Sequence, residues 1–238
     1  IICEQEATAR FIARHIYHFF VADEPPVPHW PYQPPKDPEA IDQIVQAYFD
    51  NKYDIRSVMR FVFNSDFFKS EACWYEKVKS PAELVTGVMR LTESVDGPQY
   101  EHSSRQLRMQ YMGQTLSNPP SVEGWDGGTT WIDTGALVER MNFASEELGR
   151  LETPGSKELF KKVIFEGNGN VSAERIIEIC LNHLGSIYVQ DDTRSMLVEY
   201  ASQNGVVRVV DQEIDDLGKE NIAGVVKLIA STPEFQRA

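Results

Sequence analysis

Apolar positions along this chain recur at the three- and four-residue steps of an α-helix rather than the two-residue step of a strand. Thr8, Ile12, Ile16 and Phe19–Phe20 make a first stripe, and Ile41, Ile44, Val45, Tyr48 and Phe49 a second. The second has a clean start, because Asp37 supplies a capping carboxylate and Pro38 fits the first helical position. Asp54 introduces a third stripe of Ile55, Val58, Met59 and Val62. Ser80-Pro81-Ala82-Glu83 has the spacing of a capping box, and it launches Leu84, Val85, Val88, Met89 and Leu91. A polar helix is expected over Glu101 to Met112, with Leu107 and Tyr111 as its apolar side, and Leu137, Met141, Ala144 and Leu148 continue the pattern. Three further stripes follow: Ile176, Ile177, Cys180, Leu181 and Leu184; Met196, Leu197, Tyr200 and Ala201; Ile222, Val225, Val226 and Ile229. The only β-like run is Val206 to Val210. The pattern predicts an all-α fold, a multi-helix bundle of short helices with long Pro/Gly-rich connecting loops.

Those connections are the chain's second feature. Asp23 to Pro35 holds six prolines around Trp30 and Tyr32, and is expected to be extended and polyproline-like. Gly113 to Trp131 is long, helix-incompatible and carries two of the four tryptophans. Gly149 to Asn170 changes composition, which suggests a helical domain over 1–150 containing the Gly113–Trp131 loop and a smaller helical subdomain over 151–238 packed on it. A weak internal repeat aligns Ile55–Val62 with Ile222–Ile229. Ser65 and Phe68 follow the first copy, and Thr232 and Phe235 the second. Either generic amphipathic helices coincide here, or a helical unit is duplicated and the two copies pack alike.

Composition narrows the function classes. With 238 residues and 42% apolar residues the chain can bury a sizeable core. A net charge of −13 with no Lys/Arg stripe argues against nucleic acid and against anionic membrane surfaces. Cys3, Cys73 and Cys180 have no metal-ligand spacing and give no disulfide framework, although one pair remains open. There is no apolar run of transmembrane length and no cofactor motif. The chain opens without Met inside what reads as a helix, which points to a fragment or a processed form.

The Gly113–Trp131 loop admits two readings. As a structural element, Gly113 stops a helix, Pro119-Pro120 sets a rigid turn, Trp125 plugs a gap while its indole N–H finds a carbonyl, and Gln114 and Asn118 satisfy loop backbone. As a rim, it turns Gln114, Asn118, Trp125, Asp126 and Trp131 toward a ligand or partner. Arg140 and Asn142, on the next helix, either join that rim or serve locally, Arg140 pairing with Glu123 or Asp126. His15 with His18, and Cys180 with His183, share helix faces but lack a third ligand, so no metal site is expected. The acidic run Asp211 to Asp216 lacks the glycine and terminal Glu of a calcium loop. Trp30, Tyr32, Trp74, Tyr75, Trp125 and Trp131 are either staples that pin loops or a stacking platform for sugars.

An ordered set of landmarks resembles a large bacterial family, the domain-of-unknown-function family 1800. It runs from Thr8-Ala9 and Phe19-Phe20-Val21 through Asp54-Ile55-Arg56, Ser65, Phe68 and Lys79-Ser80-Pro81. It continues with Met112-Gly113-Gln114, Asn118-Pro119-Pro120, Gly124-Trp125, Arg140–Ala144 and the ending Ser231–Gln236. Asp126 departs from the family's pattern, which has Pro after Gly-Trp in many relatives. The resemblance implies that these residues are the C-terminal half of a longer bacterial protein with no established reaction. It also implies an extracytoplasmic setting and a protein partner, either the chain's own N-terminal half or an exported protein of the sulfatase and phosphatase superfamily. Three functions are therefore expected: a helical structural or interaction module, a hydrolytic enzyme with its site around 113–142, or a polysaccharide-binding module using exposed aromatics.

Overall fold

The structure, a computed structural model, describes residues 1–94, 101–125, 127–166 and 169–237. It is mainly α-helical. In chain order the helices are α1 Glu6–Phe20, α2 Pro38–Asp50, α3 Ile55–Asn64, α4 Asp66–Lys69, α5 Pro81–Leu91, α6 Glu101–Tyr111, α7 Thr134–Leu148, α8 Pro154–Ile164, α9 Ala173–His183, α10 Asp191–Gln203, α11 Asp216–Ala230 and α12 Pro233–Gln236. Short 3₁₀ turns lie at Val27–His29, Glu71–Cys73 and Gly128–Ile132. A small antiparallel sheet, β1 Gly169–Val171, β2 Val207–Val210 and β3 Glu213–Ile214, is added to the helical frame in the order β1-β2-β3. Val171 lies opposite Val207, and Val209 opposite Ile214. Along β2, Val207 and Val209 are buried while Arg208 and Val210 face outward, the two-residue alternation of a half-buried strand. Asp211 and Gln212 both adopt left-handed backbone angles (φ 49° and 64°), as a tight two-residue hairpin requires. The outer strands are two and three residues long, too short to register as alternation in the sequence.

Two compact units emerge. The first holds 1–78 with 127–130 and Arg237, and the second holds 79–125 with 131–236. In the first, the apolar stripes of α1, α2 and α3 close on one core of Ala9, Ala13, Ile16, Tyr17, Ile41, Ile44, Tyr48, Val58 and Val62. The starts of α2 and α3 follow the local signals. Asp37 accepts from the Ala40 N–H at 2.9 Å with Pro38 in the first turn, and Asp54 accepts from Ser57 N–H at 2.9 Å. In the second unit α5, α7, α9 and α11 surround a larger core that includes Leu84, Val88, Phe143, Ile176, Ile177, Ile222, Val225 and Ile229. Ser80 and Glu83 make the expected capping box, Glu83 accepting from Ser80 N–H at 2.7 Å.

The repeat seen in the sequence has a counterpart in hydrogen bonding. After α3, the Ser65 hydroxyl donates to Val62 O at 2.7 Å and accepts from Phe68 N–H at 3.3 Å. After α11, the Thr232 hydroxyl donates to Ile229 O at 2.9 Å and accepts from Phe235 N–H at 3.3 Å. The preceding helices also end alike, with Asn51 and Asn204 each donating its side-chain amide to the carbonyl four residues back at 2.8 Å.

The proline-rich segment differs from the extended form expected of it. It turns through the 3₁₀ element at Val27–His29, and Tyr32 and Gln33 N–H both return to His29 O at 2.9 Å. The cause is tertiary. The buried Arg14 guanidinium gathers the carbonyls of Trp30, Gln33 and Pro34 at 3.4, 2.9 and 3.2 Å, and the Trp30 indole donates to Pro25 O at 2.7 Å. Proline fixes φ but leaves the path of the chain to whatever accepts or donates around it.

Candidate functional site

The site is built where three segments of the second unit converge: the start of α5, the loop that begins at Gly113, and α7 with the C-terminal turn. Gly113 ends α6 with a positive φ of 96°. Its N–H reaches Gln110 O and the next N–H, that of Gln114, reaches Met109 O, both at 2.9 Å, the paired bonds of a Schellman stop. That stop aims Gln114 inward. Gln114 is buried, and its side-chain oxygen accepts from the Ala82 N–H at 2.8 Å, satisfying a first-turn donor of α5 that has no partner within the helix. Trp131 is buried as well, its ring 3.6 Å from where a side chain on Gly113 would begin.

Arg140 lies at the centre, fully buried on α7. Its Nε donates to the Gln236 side-chain oxygen at 2.9 Å and its Nη2 to Gln236 O at 3.2 Å, whereas its Nη1 is buried with no hydrogen-bond partner among the described residues. The pairing with Glu123 expected from the sequence is not made; the guanidinium points to the C-terminal turn instead. Lys79 stands on the same turn. Its backbone N–H bonds Gln236 O at 3.2 Å, its ammonium donates to Phe235 O at 2.7 Å and lies 5.0 Å over the Phe235 ring. Neither cation has a carboxylate in ion-pair contact among the described residues. Burial therefore lowers both: Lys79 falls to about 8, through burial first and the Arg140 charge second, with Glu83 opposing, and Arg140 falls to about 10, through burial, with Glu83 again opposing.

The remaining sequence candidates are placed as follows. Trp125 is half-buried and its indole N–H, expected to find a carbonyl, is enclosed without a partner among the described residues. Asn118 is exposed; its N–H closes a turn on Thr115 O at 3.1 Å. Asn142 is exposed on α7. Asp126 lies outside the described residues. The structure thus brings Gln114, Trp131 and Arg140 to the interior and leaves Asn118 and Asn142 at the surface. Lys79, Phe235 and Gln236 were missed as members of this cluster. Lys79 stood one residue before a capping box and, like Gln236, among the landmarks of the family resemblance, but nothing in the sequence links Gln236 to a residue 96 positions away.

In the first unit a second polar cluster is fully compensated. Arg14 donates to Glu24 at 2.7 Å, and both side chains are buried. Glu24 also accepts from Lys36 N–H at 2.8 Å, while its own N–H donates to His18 Nδ1 at 2.9 Å. That bond places the His18 proton on Nε2, and burial, then the Lys77 charge, lowers the His18 pKa. The cysteines are free thiols, and among the described residues no group of three His, Cys, Asp or Glu side chains could hold a metal ion. No described helix is long and apolar enough to cross a membrane.

Fold and cluster define a mainly helical protein whose long loop and C-terminal turn are tied into one polar knot. The chain belongs to the family described as protein of unknown function (DUF1800), whose model matches residues 1–237. No curated protein and no solved structure matches the chain.

Proposed function

We propose that this chain is a helical structural and interaction module of a larger bacterial protein, working beside an exported protein of the sulfatase and phosphatase kind. The observation that carries the reading is the use of Gln114 and Arg140. Gln114 spends its side-chain oxygen on the first turn of α5, and Arg140 two of its nitrogens on Gln236, so these polar groups hold helix ends rather than line an open cleft. The partner follows from the family resemblance alone. Affinity capture of the full-length tagged protein from its own host after chemical cross-linking is the test. The expected result is stoichiometric recovery of a sulfatase- or phosphatase-like protein. Recovery of the tagged protein alone, together with hydrolase turnover by that protein, overturns the reading.

One observation favours a second reading, a hydrolytic enzyme with its site around 113–142. Two cations sit together with no carboxylate in ion-pair contact among the described residues, and one of them has an N–H without a partner there, an arrangement that suits an anionic group. Hydrolysis of phosphate and sulfate esters by full-length protein, compared with Gln114→Ala, Asp126→Ala and Arg140→Ala, tests it. Turnover unchanged in all three excludes that site.

A further inference from the structure

The first unit carries a groove of about 780 Å³ that plays no part in the Arg140 cluster. Its volume falls within the roughly 300–1,000 Å³ range of small-molecule sites. One wall is α1, through Arg10, Phe11 and Arg14; the other is the proline-rich turn, through Trp30, Tyr32 and Gln33. Tyr32 is 87% exposed and Phe11 51% exposed, so two aromatic rings are offered to solvent across a rigid frame. The frame is held from beneath. Arg14 stacks on the Trp30 ring at 4.7 Å while binding three carbonyls of the turn, and Glu24 neutralises it. These bonds, with the Trp30 indole donating to Pro25 O, hold the turn in one path, so it is preorganised.

Both arginines of the groove are already held by carboxylates, three carboxylates to two guanidinium groups. Arg14 is matched by Glu24, and Arg10 by Glu6 and Asp42 at 2.9 and 2.7 Å. An acidic ligand finds no unpaired arginine there, and a basic one finds each of these carboxylates already bound to an arginine. What remains unengaged among the described residues is hydrogen-bonding capacity: the Gln33 amide, the Tyr32 hydroxyl and Arg10 Nη2 make no hydrogen bond there. Apolar ring faces beside amide and guanidinium groups match a ligand that has apolar faces and many neutral donors and acceptors at its edges. A proline-rich peptide satisfies only half of this, because its backbone offers carbonyl acceptors and no N–H at proline, which leaves the Gln33 oxygen unfilled.

We propose that this groove binds a neutral oligosaccharide, with sugar faces on Tyr32 and Phe11 and sugar hydroxyls on Gln33 and Arg10. Calorimetric titration of the whole chain with cellohexaose, xylohexaose, maltohexaose, chitohexaose and decaproline tests it. Saturable binding of at least one sugar is expected, weakened about tenfold by Tyr32→Ala and by Gln33→Ala. Both side chains are exposed, so the variants are expected to unfold at the wild-type temperature. Tyr32→Phe separates the two contributions, keeping the stacking and losing only the hydroxyl. Absence of heat with all four sugars, sugar binding that both alanine variants leave intact, or saturation by decaproline in place of any sugar, overturns the proposal.

Discussion

Two buried arginines, one in each unit, solve the same problem in opposite ways. Arg14 leaves the apolar face of α1 to gather a loop, and it meets a carboxylate, Glu24, that is itself fully enclosed. Arg140 leaves α7 to gather the C-terminal turn, and it meets only the amide and carbonyl of Gln236. Both act as clips across long stretches of sequence. The first clip is charge-balanced, so removing either half strands the other. The second holds a cation with no carboxylate in ion-pair contact among the described residues, so its hydrogen bonds work against a desolvation cost that Glu83 offsets only in part. A structural purpose suffices for Arg14, whereas Arg140 combines a structural purpose with a capacity to meet negative charge.

The largest effect expected from this comparison is at Glu24. Glu24→Ala removes the acceptor of Arg14 Nε and of Lys36 N–H and leaves a buried charge unpaired, which costs about 3–5 kcal/mol by urea unfolding. A loss below about 1 kcal/mol would mean that water replaces the carboxylate and that the clip is not a closed one. Arg140→Met should cost less, about 1–2 kcal/mol, because the lost bonds to Gln236 are partly offset by relief of the desolvated charge. If Arg140→Met proved as damaging as Glu24→Ala, the two arginines would be equivalent and the contrast would fail. Gln114→Ala leaves the Ala82 N–H without an acceptor and should cost about 1 kcal/mol, with helical content retained by circular dichroism. Retained stability in this variant would detach the loop from the start of α5.

The smallest effect is one of pH, since Lys79 is only half-buried and solvent screens it. Its folded pKa of about 8 lies below the 10.5 of an ordinary lysine. Between those values the unfolded chain binds the proton more tightly, so stability due to this group rises as pH rises from about 8 toward 10.5 and is absent below 8. Unfolding midpoints of the wild type and of Lys79→Met, compared at pH 7 and pH 10, isolate it. The wild type should gain on the variant at the higher pH, and parallel curves would show that the ammonium is not held in a desolvated position.

Much of the helical frame was legible because its causes are local. Asp37 and Pro38, Asp54, Ser80 and Glu83, and Gly113 each act within four residues, and each does in the structure what its type and spacing suggested. The β-run at Val206–Val210 was legible as the central strand but not as a sheet, because β1 pairs from 38 residues away and β3 is two residues long. The path of the proline-rich segment was misread, since its composition favours extension while Arg14 supplies the bonds that turn it. At the candidate site, Gln114, Trp131 and Arg140 stood out for their place around a helix-breaking loop. Lys79 and Gln236 fell among the landmarks of the resemblance but were not legible as members of this cluster, because a lysine before a cap and a glutamine near the end of the sequence carry no local sign of burial.

By itself the sequence determined where helices start and stop and which of their faces are apolar, since periodicity and capping are decided by neighbours along the chain. It also determined the net charge of −13. Only the tertiary structure decided which charges are buried, and whether each is balanced. Arg14 and Arg140 are both buried on their helices, and nothing in either helix says that one faces a carboxylate ten residues on and the other an amide 96 residues on. The energy of a charge depends on what surrounds it in space, and that surrounding exists only once distant segments have met.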